Sequence, residues 1–486
     1  MPPSYRPDAR KLWQACRLLA QGFIEKSVLG RSPEYIQALQ KRRLQALVAR
    51  AKADSPFHAE RLCDIDPGHF ELRQLPTLTK TEMMANFDRF LTDRRIMRTD
   101  LEEFTNDPNR LGQWYLGQYA VSRTSGSSGM QALIVQDHRM VELLFALQMM
   151  RGSAFPATPT EVLKRTVQKV RLAVVTIGRG FYPSAAALAY APIAAAFFIK
   201  RLWLEHIEPV SHIVNQLSEF QPHVLLAYAN VLEILAREAL AGRLKLSPSR
   251  GLRQVINMSE PLSRGAKELI ERAFGLAVTD NYATGECMAL TTGCPKAQGM
   301  HLQADWAILE VVDRNNQPVQ AGRPGEKVLL TNLYNTIQPF IRYEINDVVT
   351  MSAEPCPCGS PLPHILHVEG RTDELLWIHD ADGFRQLHPY VFVDVLDQYP
   401  EVGWYQVLQT ERNRFLLRAS PAPGRQISVP ELKGVIDEGL RHFGFIDLIQ
   451  VDIEIAPDLA PNPESGKLKR ITSRIGPPPA GAALAM

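Results

Sequence analysis

The chain has 486 residues, more than one ordinary core accommodates, so two to four units are expected. Its 54 basic and 52 acidic residues nearly cancel, which argues against nucleic acid or an anionic membrane as the main partner. Six cysteines at this length point to reduced, buried or metal-bound thiols rather than a disulfide framework. The N-terminus, "MPPSYRPDARKLWQ", has no apolar core behind its charges, so no signal peptide and a cytoplasmic location are expected. Residues 8 to about 60 read as helical, with apolar positions of "YIQALQKRRLQALVARAKA" at three- and four-residue spacing. "LPTLTKTEMMANFDRFL" predicts a Pro-containing turn and then one amphipathic helix. "QYAVSR" and "ALIVQD" predict the two arms of a hairpin whose tip is "SRTSGSSGMQA". A helix around "RMVELLFALQMM" and the buried strand "VRLAVVTIG" follow. The run "AAALAYAPIAAAFFI", Ala185 to Ile199, is too short for a membrane span and is broken by Pro192; it predicts buried helices or a pocket wall. "HVLLAYA" and "LRQVINMSE" predict buried strands, followed by the helices "NVLEILAREALAG" and "SRGAKELIERAF", and "AVTDNYATGE" predicts the next strand. Strands alternating with helices imply a largely parallel sheet with helices on its faces. From "HLQADWAILEVVD" onward the pattern turns to hairpins, and beyond Asp373 short strands and the helix "SVPELKGVIDEGLRHFG" predict a small second domain. The tail "GPPPAGAALAM" reads as disordered.

The hairpin tip combines Thr124, Ser125, Gly126, Ser127, Ser128 and Gly129. Small residues let backbone N–H groups approach an anion and hydroxyls add donors, so the tip suits phosphate. It is not the usual nucleotide loop, because Met130 stands where that loop carries its Lys. An inert Ser/Gly turn is the other reading of this stretch alone. The strand ends carry Ser259, Glu260 and Pro261 in "NMSEPLS", and Tyr282 and Glu286 in "NYATGEC". Asp347 lies in "IRYEINDVV", Arg371 and Asp373 in "VEGRTDELL", and Lys467 and Lys469 in "PNPESGKLKR". Singly, each also reads as a solvated acid, a turn former or a surface cation. Ligand sites in open parallel sheets gather at the carboxyl ends of strands, where these residues fall in order. Cys294, His301, Cys356 and Cys358 offer three thiols and an imidazole, a complete tetrahedral set for a structural zinc. Cys16, Cys63 and Cys287 are read as non-ligands.

Taken in order, these segments resemble the adenylate-forming enzymes that activate carboxylic acids with ATP, above all the branch of the phenylacetate–CoA ligases and capsule-biosynthesis ligase-like proteins. The resemblance runs from "SPFHAERL" to "SGKLKR", nearly the whole chain. It implies an α/β fold with a large N-terminal domain, residues 1–371, of mostly parallel sheets flanked by helices, its helical N-terminal segment spanning about 8–95. A small mobile α+β domain over 372–476 and the tail 477–486 would complete it. It implies ATP and Mg²⁺, an apolar or aromatic small-molecule carboxylic acid, and coenzyme A as acceptor. An acyl-carrier-protein thiol or an acceptor hydroxyl would be the alternative, and a non-catalytic scaffold a third reading that the intact "PNPESGKLKR" disfavours. By the same likeness, Thr124 to Gly129 would hold the ATP phosphates. Ser259, Glu260, Pro261, Asn281, Tyr282 and Ala283 would border the adenine, and Thr284 would lie beside the reacting phosphates. Glu286 would hold Mg²⁺, and Asp347 the ribose. Arg371 and Asp373 would mark the joint between domains, Asp373 as hinge, and Lys467 would reach the α-phosphate. The cation that the hairpin tip lacks would then come from elsewhere. Two departures stand out: the family's Tyr-Gly-x-Thr-Glu is Tyr-Ala-Thr-Gly-Glu here, and Asn346 replaces the usual Gly before Asp347.

Overall fold

The structure is a computed structural model and describes residues 9–124, 131–152, 168–176, 180–206, 208–259, 262–294, 296, 299–371, 376–381, 383–387, 390–396, 399–422, 424–457, 459 and 470–475. The chain divides into two compact units: Met1–Glu260, Ile270–Ile345 and Val349–Val368 form one, and Pro261–Leu269, Asn346–Val348 and Glu369–Met486 the other.

The first unit opens with helices Ala9–Ser27, Pro33–Asp54 and Pro56–Arg61. Ser32 and Ser55 cap the second and third, accepting from Tyr35 N and His58 N, and proline follows each cap where its missing N–H costs nothing. The single helix expected over "TEMMANFDRFL" is instead two, Lys80–Ala85 and Phe87–Phe90. They part at Asn86, which leaves helical backbone while its side-chain amide donates to Glu82 O.

β1 (Tyr119–Arg123) and β2 (Leu133–Asp137) form the expected antiparallel hairpin. The outer edge of β2 is met by side chains rather than by a third strand. Val135 N donates to Gln338 Oε1, Gln338 Nε2 to Leu133 O, and Asn335 Nδ2 to Val135 O, all near 3.0 Å and fully buried. Asp137 then caps helix His138–Arg151.

β3 (Val170–Thr176), β4 (Ile199–Glu205), β5 (Val224–Ala227), β6 (Gln254–Met258) and β7 (Val278–Asn281) form a parallel sheet in the order β4-β3-β5-β6-β7. Helices Val210–Phe220, Ala229–Leu240 and Arg264–Phe274 link successive strands from β4 to β7. This is the α/β arrangement expected, with β4 and Val210–Phe220 added. The run around Pro192 folds as a short helix, Pro183–Ala189, and a 3-10 turn, Ile193–Phe197. Among the described residues no helix is long and apolar enough to cross a membrane.

The remainder of the chain is antiparallel at first. β8 (Thr291–Gly293) and β9 (Met300–Leu302) form a hairpin, and β10 (Ala307–Val312), β11 (Lys327–Asn332) and β12 (Tyr343–Ile345) a three-stranded sheet. β13 (Asp347–Met351) and β14 (His364–Arg371) join the first hairpin in the order β13-β14-β9-β8.

A buried ion network fastens the helices of this unit to the loop after β9. Arg151 donates to both carboxylate oxygens of Asp305 at 2.7 and 2.8 Å and to Glu25 Oε2 at 3.1 Å. Glu25 Oε2 also accepts from Trp306 Nε1 at 2.7 Å.

The second unit contains the hairpin β15 (Leu376–Asp380) and β16 (Gly383–Leu387). Its main sheet is β17 (Val402–Glu411), β18 (Arg414–Pro421), β19 (Gln450–Ile455) and β20 (Ile471–Ser473), ordered β19-β18-β17-β20. Helix Val429–His442 buries Leu432, Ile436 and Leu440, four residues apart along one face, in the same core as Val407 and Phe415.

Candidate active site and metal centre

The carboxyl ends of β6 and β7 are fixed first by a cross-strand pair. Asn257 Nδ2 donates to Asp280 Oδ1 at 2.7 Å, joining register partners on the two strands. Ser259, directly after β6, has a φ of 62°, left-handed backbone that a serine seldom adopts. After β7 the chain makes a tight turn from Thr284 to Cys287. Cys287 N donates to Thr284 O at 3.1 Å and to Thr284 Oγ1 at 3.2 Å, leaving Gly285 and Glu286 at the tip. The Thr284 hydroxyl therefore holds the turn, which accounts locally for threonine one position early.

Glu286 is 6 % exposed. Its backbone carbonyl accepts from Asn332 Nδ2 at 2.7 Å. Asn332, fully buried at the end of β11, accepts Tyr334 N and Asn335 N on its side-chain oxygen Oδ1, at 3.1 and 3.2 Å. Cys287 is fully buried and burial pushes its thiol up to about 12, so it is no nucleophile at neutral pH.

Thr124, which follows β1, and the acid turn meet. A Cβ on Gly285 would come to 3.1 Å from Thr124 Cγ2 and 3.4 Å from Pro183 Cγ, so a side chain there would press on Thr124. Thr124 is itself anchored: its N donates to Ala132 O and its Oγ1 accepts Ala132 N, both at 2.9 Å. A residue unmarked by sequence reasoning also arrives here. Lys80 Nζ donates to Thr124 Oγ1 at 3.3 Å. Lys80 opens its helix directly after the Thr79 cap, where the helix dipole disfavours a cation. That mismatch is the signal the sequence carried.

Thr176, Ser184 and Tyr228 form a hydroxyl cluster at the carboxyl ends of β3 and β5. Thr176 Oγ1 donates to Tyr228 OH at 2.5 Å, and Ser184 Oγ lies 3.1 Å from it. In the second unit Arg371 Nε lies 3.6 Å from Asp347 Oδ1, pairing two expected site residues. Ser125, Gly126, Ser127, Ser128, Gly129, Glu260, Pro261, Asp373, Lys467 and the tail lie outside the described residues.

Cys294, His301, Cys356 and Cys358 converge, with ligand atoms all within 4.8 Å of one another. Cys294 Sγ and Cys356 Sγ are 3.6 Å apart, and Cys358 Sγ is 3.2 Å from His301 Nε2. A tetrahedron with ~2.3 Å metal–sulfur bonds has edges of about 3.8 Å, so the set fits an ion such as zinc. Burial lowers the His301 pKa and keeps the imidazole neutral, the form that ligates.

No protein-family profile matches the chain. It is 23 % identical over 470 residues to the phenylacetate-coenzyme A ligase of Thermus thermophilus, covering 90 % of this chain and 96 % of that one. Protein CapK of Staphylococcus aureus is 24 % identical over 147 residues, 30 % of each chain. Among solved structures, 2-hydroxyisobutyryl-CoA ligase in the postadenylation state with 2-HIB-AMP aligns with a TM-score of 0.69 at 19 % identity, covering 90 % of both chains. The same ligase with 2-HIB-AMP and CoA in the thioesterification state gives 0.55 at 20 % identity, over 92 % of this chain and 91 % of that one. The chain is thus similar to a phenylacetate-coenzyme A ligase along nearly the whole length of both, and it shares the fold of an acid–CoA ligase over nine-tenths of its own.

Proposed function

We propose that this protein is an AMP-forming acid–CoA ligase acting on an apolar or aromatic carboxylic acid. The observation that carries the reading is the meeting of Thr124, Gly285 and Lys80, which sets the first residue of the hydroxyl- and glycine-rich stretch beside the acid-bearing turn and a cation. The substrate carboxylate oxygen attacks the α-phosphorus of ATP, the bond to the bridging oxygen breaks, and pyrophosphate leaves. The thiolate of coenzyme A then attacks the acyl carbon, and AMP leaves with the bonding pair. The first step builds charge on phosphate oxygens already charged and the second on the acyl carbonyl oxygen, so the chain's task is positioning and electrostatic stabilisation.

In this reading Thr124 and the tip behind it cradle the phosphates, and Lys80 supplies a fixed cation beside them. Glu286 supplies a hard oxygen to Mg²⁺, which when bound neutralises phosphate charge. Ser259, Asn281, Tyr282 and Ala283 border the adenine, Asp347 takes the ribose hydroxyls with Arg371 beside it, and Lys467 is the second, removable cation. Asp373 is the hinge that withdraws it between steps. The largely apolar run from Phe181 to Ala186 supports an apolar acyl group. The Cys/His cluster holds a structural zinc. With four ligands filled, it leaves no open position for chemistry.

A panel of carboxylic acids, assayed for ATP-dependent pyrophosphate release with and without CoA, tests the reading. Release only with acid, and acyl-CoA plus AMP only when CoA is added, is the expected result. ATP consumption indifferent to every acid would reject it.

A further inference from the structure

We propose that the metal centre sets the affinity for ATP, acting through β8. The inference rests on the ATP reading above and on a metal ion held by Cys294, His301, Cys356 and Cys358. β8 is only three residues long, yet it makes the contacts that fix the adenine side of the site. Thr291 Oγ1 accepts Tyr282 N at 2.9 Å and donates to Tyr282 O at 2.7 Å, so one buried hydroxyl clamps both sides of that residue. Gly293 N donates to Asn281 Oδ1 at 2.7 Å. The next residue is the ligand Cys294. Across the hairpin the ligand His301 is the register partner of Thr292.

The hairpin has no slack towards β7. A Cβ on Gly293 would lie 2.7 Å from Asp280 O and 2.8 Å from Thr279 Cβ, so the two backbones touch. β8 is the edge strand of the sheet β13-β14-β9-β8 and pairs with β9 over only three residues, so its hold within the sheet is short. A metal that grips Cys294 and His301 and ties them to Cys356 and Cys358 secures the strand at one end. Without the metal, β8 is free to shift, and Asn281 and the Tyr282 peptide lose the donors and acceptor that hold them. Affinity for a ligand falls by the fraction of molecules that keep the competent arrangement. Thr291 and Gly293 are positioning residues in this account, since neither touches the nucleotide.

The test uses the full chain, ATP alone and no acid, so that binding is read without turnover. Zinc-loaded protein and protein stripped by a chelator are compared by calorimetric titration, with metal content and circular dichroism recorded for both. Stripping is expected to weaken ATP binding about tenfold or more, and added zinc to restore it. Thr291→Val, expected to keep its zinc, should weaken ATP binding by a similar factor, and Thr291→Ser should regain it. If the stripped protein unfolds, the Thr291 pair decides the matter. Equal ATP affinity with and without zinc in folded protein, or wild-type affinity in Thr291→Val, overturns the coupling alone. Zinc-loaded wild type that binds no ATP overturns the nucleotide reading as well, and protein that takes up no zinc overturns the metal assignment; either removes this inference with it.

Discussion

Asn332 and Glu286 are joined at 2.7 Å, side-chain amide to backbone carbonyl, with Asn332 fully buried. The candidate magnesium ligand therefore hangs from the end of a central antiparallel strand rather than from a free loop. Its aim depends on a residue that need not touch metal or substrate.

Replacing Asn332 by alanine strands the Glu286 carbonyl and the amides of Tyr334 and Asn335. We expect a loss of about 2–3 kcal/mol in urea unfolding, within the range for buried groups left unsatisfied. The Mg²⁺ concentration needed for half-maximal pyrophosphate release should rise with it. Glu286→Gln, which keeps the fold, should cut that rate on the order of a hundredfold at any Mg²⁺ concentration. An unchanged Mg²⁺ requirement in Asn332→Ala would show that the amide has no part in aiming the acid.

Two lysines serve the phosphates in this scheme, and they separate by half-reaction. Lys467→Ala should slow acyl-adenylate formation on the order of a hundred- to a thousandfold, the usual cost of one such contact. It should leave thioester formation from supplied acyl-AMP and CoA nearly intact, and Lys469→Ala should leave both steps alone. Lys80→Met removes a cation that sits by Thr124 and should weaken ATP binding as well as slow adenylation. Stopped-flow measurement of each half-reaction distinguishes these patterns. Equal loss in both steps for Lys467→Ala would point to a fixed lysine and remove the hinge at Asp373 from the mechanism.

Arg151→Ala should destabilise the fold by about 3–5 kcal/mol, because it leaves Glu25 charged and buried without a cation and Asp305 with Arg43 alone, at 3.0 Å. The side chains of Arg151, Glu25 and Asp305 are at most 1 % exposed. Arg151→Met with Glu25→Gln should recover much of that loss, since the penalty lies in unpaired charge and Asp305 keeps its pair with Arg43. Chemical denaturation of the single and double variants reads both effects.

His58 gives the molecule an acid-side limit. Burial pushes its pKa from 6.5 to about 4, while Nε2 lies 3.0 Å from Pro339 O. Only the unfolded chain takes up the proton between those values, so its stabilising effect is complete above about pH 6.5 and falls away as pH drops towards 4. The loss amounts to roughly 3 kcal/mol at 1.36 kcal/mol per unit. His58→Gln should flatten the stability profile between pH 6.5 and 4, measured by unfolding at a series of pH values. A slope identical to wild type would assign the acid sensitivity to other groups.

Much of the first unit was legible because its strands announce themselves. β3, β5 and β6 are largely apolar runs bounded by turn residues, as strands covered on both faces are. β4 was not legible. It is an edge strand with Lys200, Arg201 and Trp203 exposed, so its alternation is polar where a central strand's is not. The Cys/His cluster could be assembled from residue chemistry alone, since few other reasons gather three thiols and an imidazole. Asn332 and Thr291 could not, because a buried amide or hydroxyl inside a strand looks in sequence like any solvent-facing polar residue. Their meaning lies in which backbone group they meet, and only the fold supplies that. Lys80 falls between, a cation at a helix start that ordinary capping preferences disfavour.

The amide clamp on β2 has a bearing on how the protein behaves in a crowded solution. A two-stranded hairpin normally leaves an unpaired edge able to template the strand of another chain, an opening for aggregation. Gln338 and Asn335 take the donors and acceptors of β2 that a foreign strand would need. Because side chains occupy the edge without repeating along it, nothing can be added beyond them. We therefore expect the Val135 amide to exchange with solvent only when the unit as a whole opens, and Gln338→Leu to make the protein self-associate on storage.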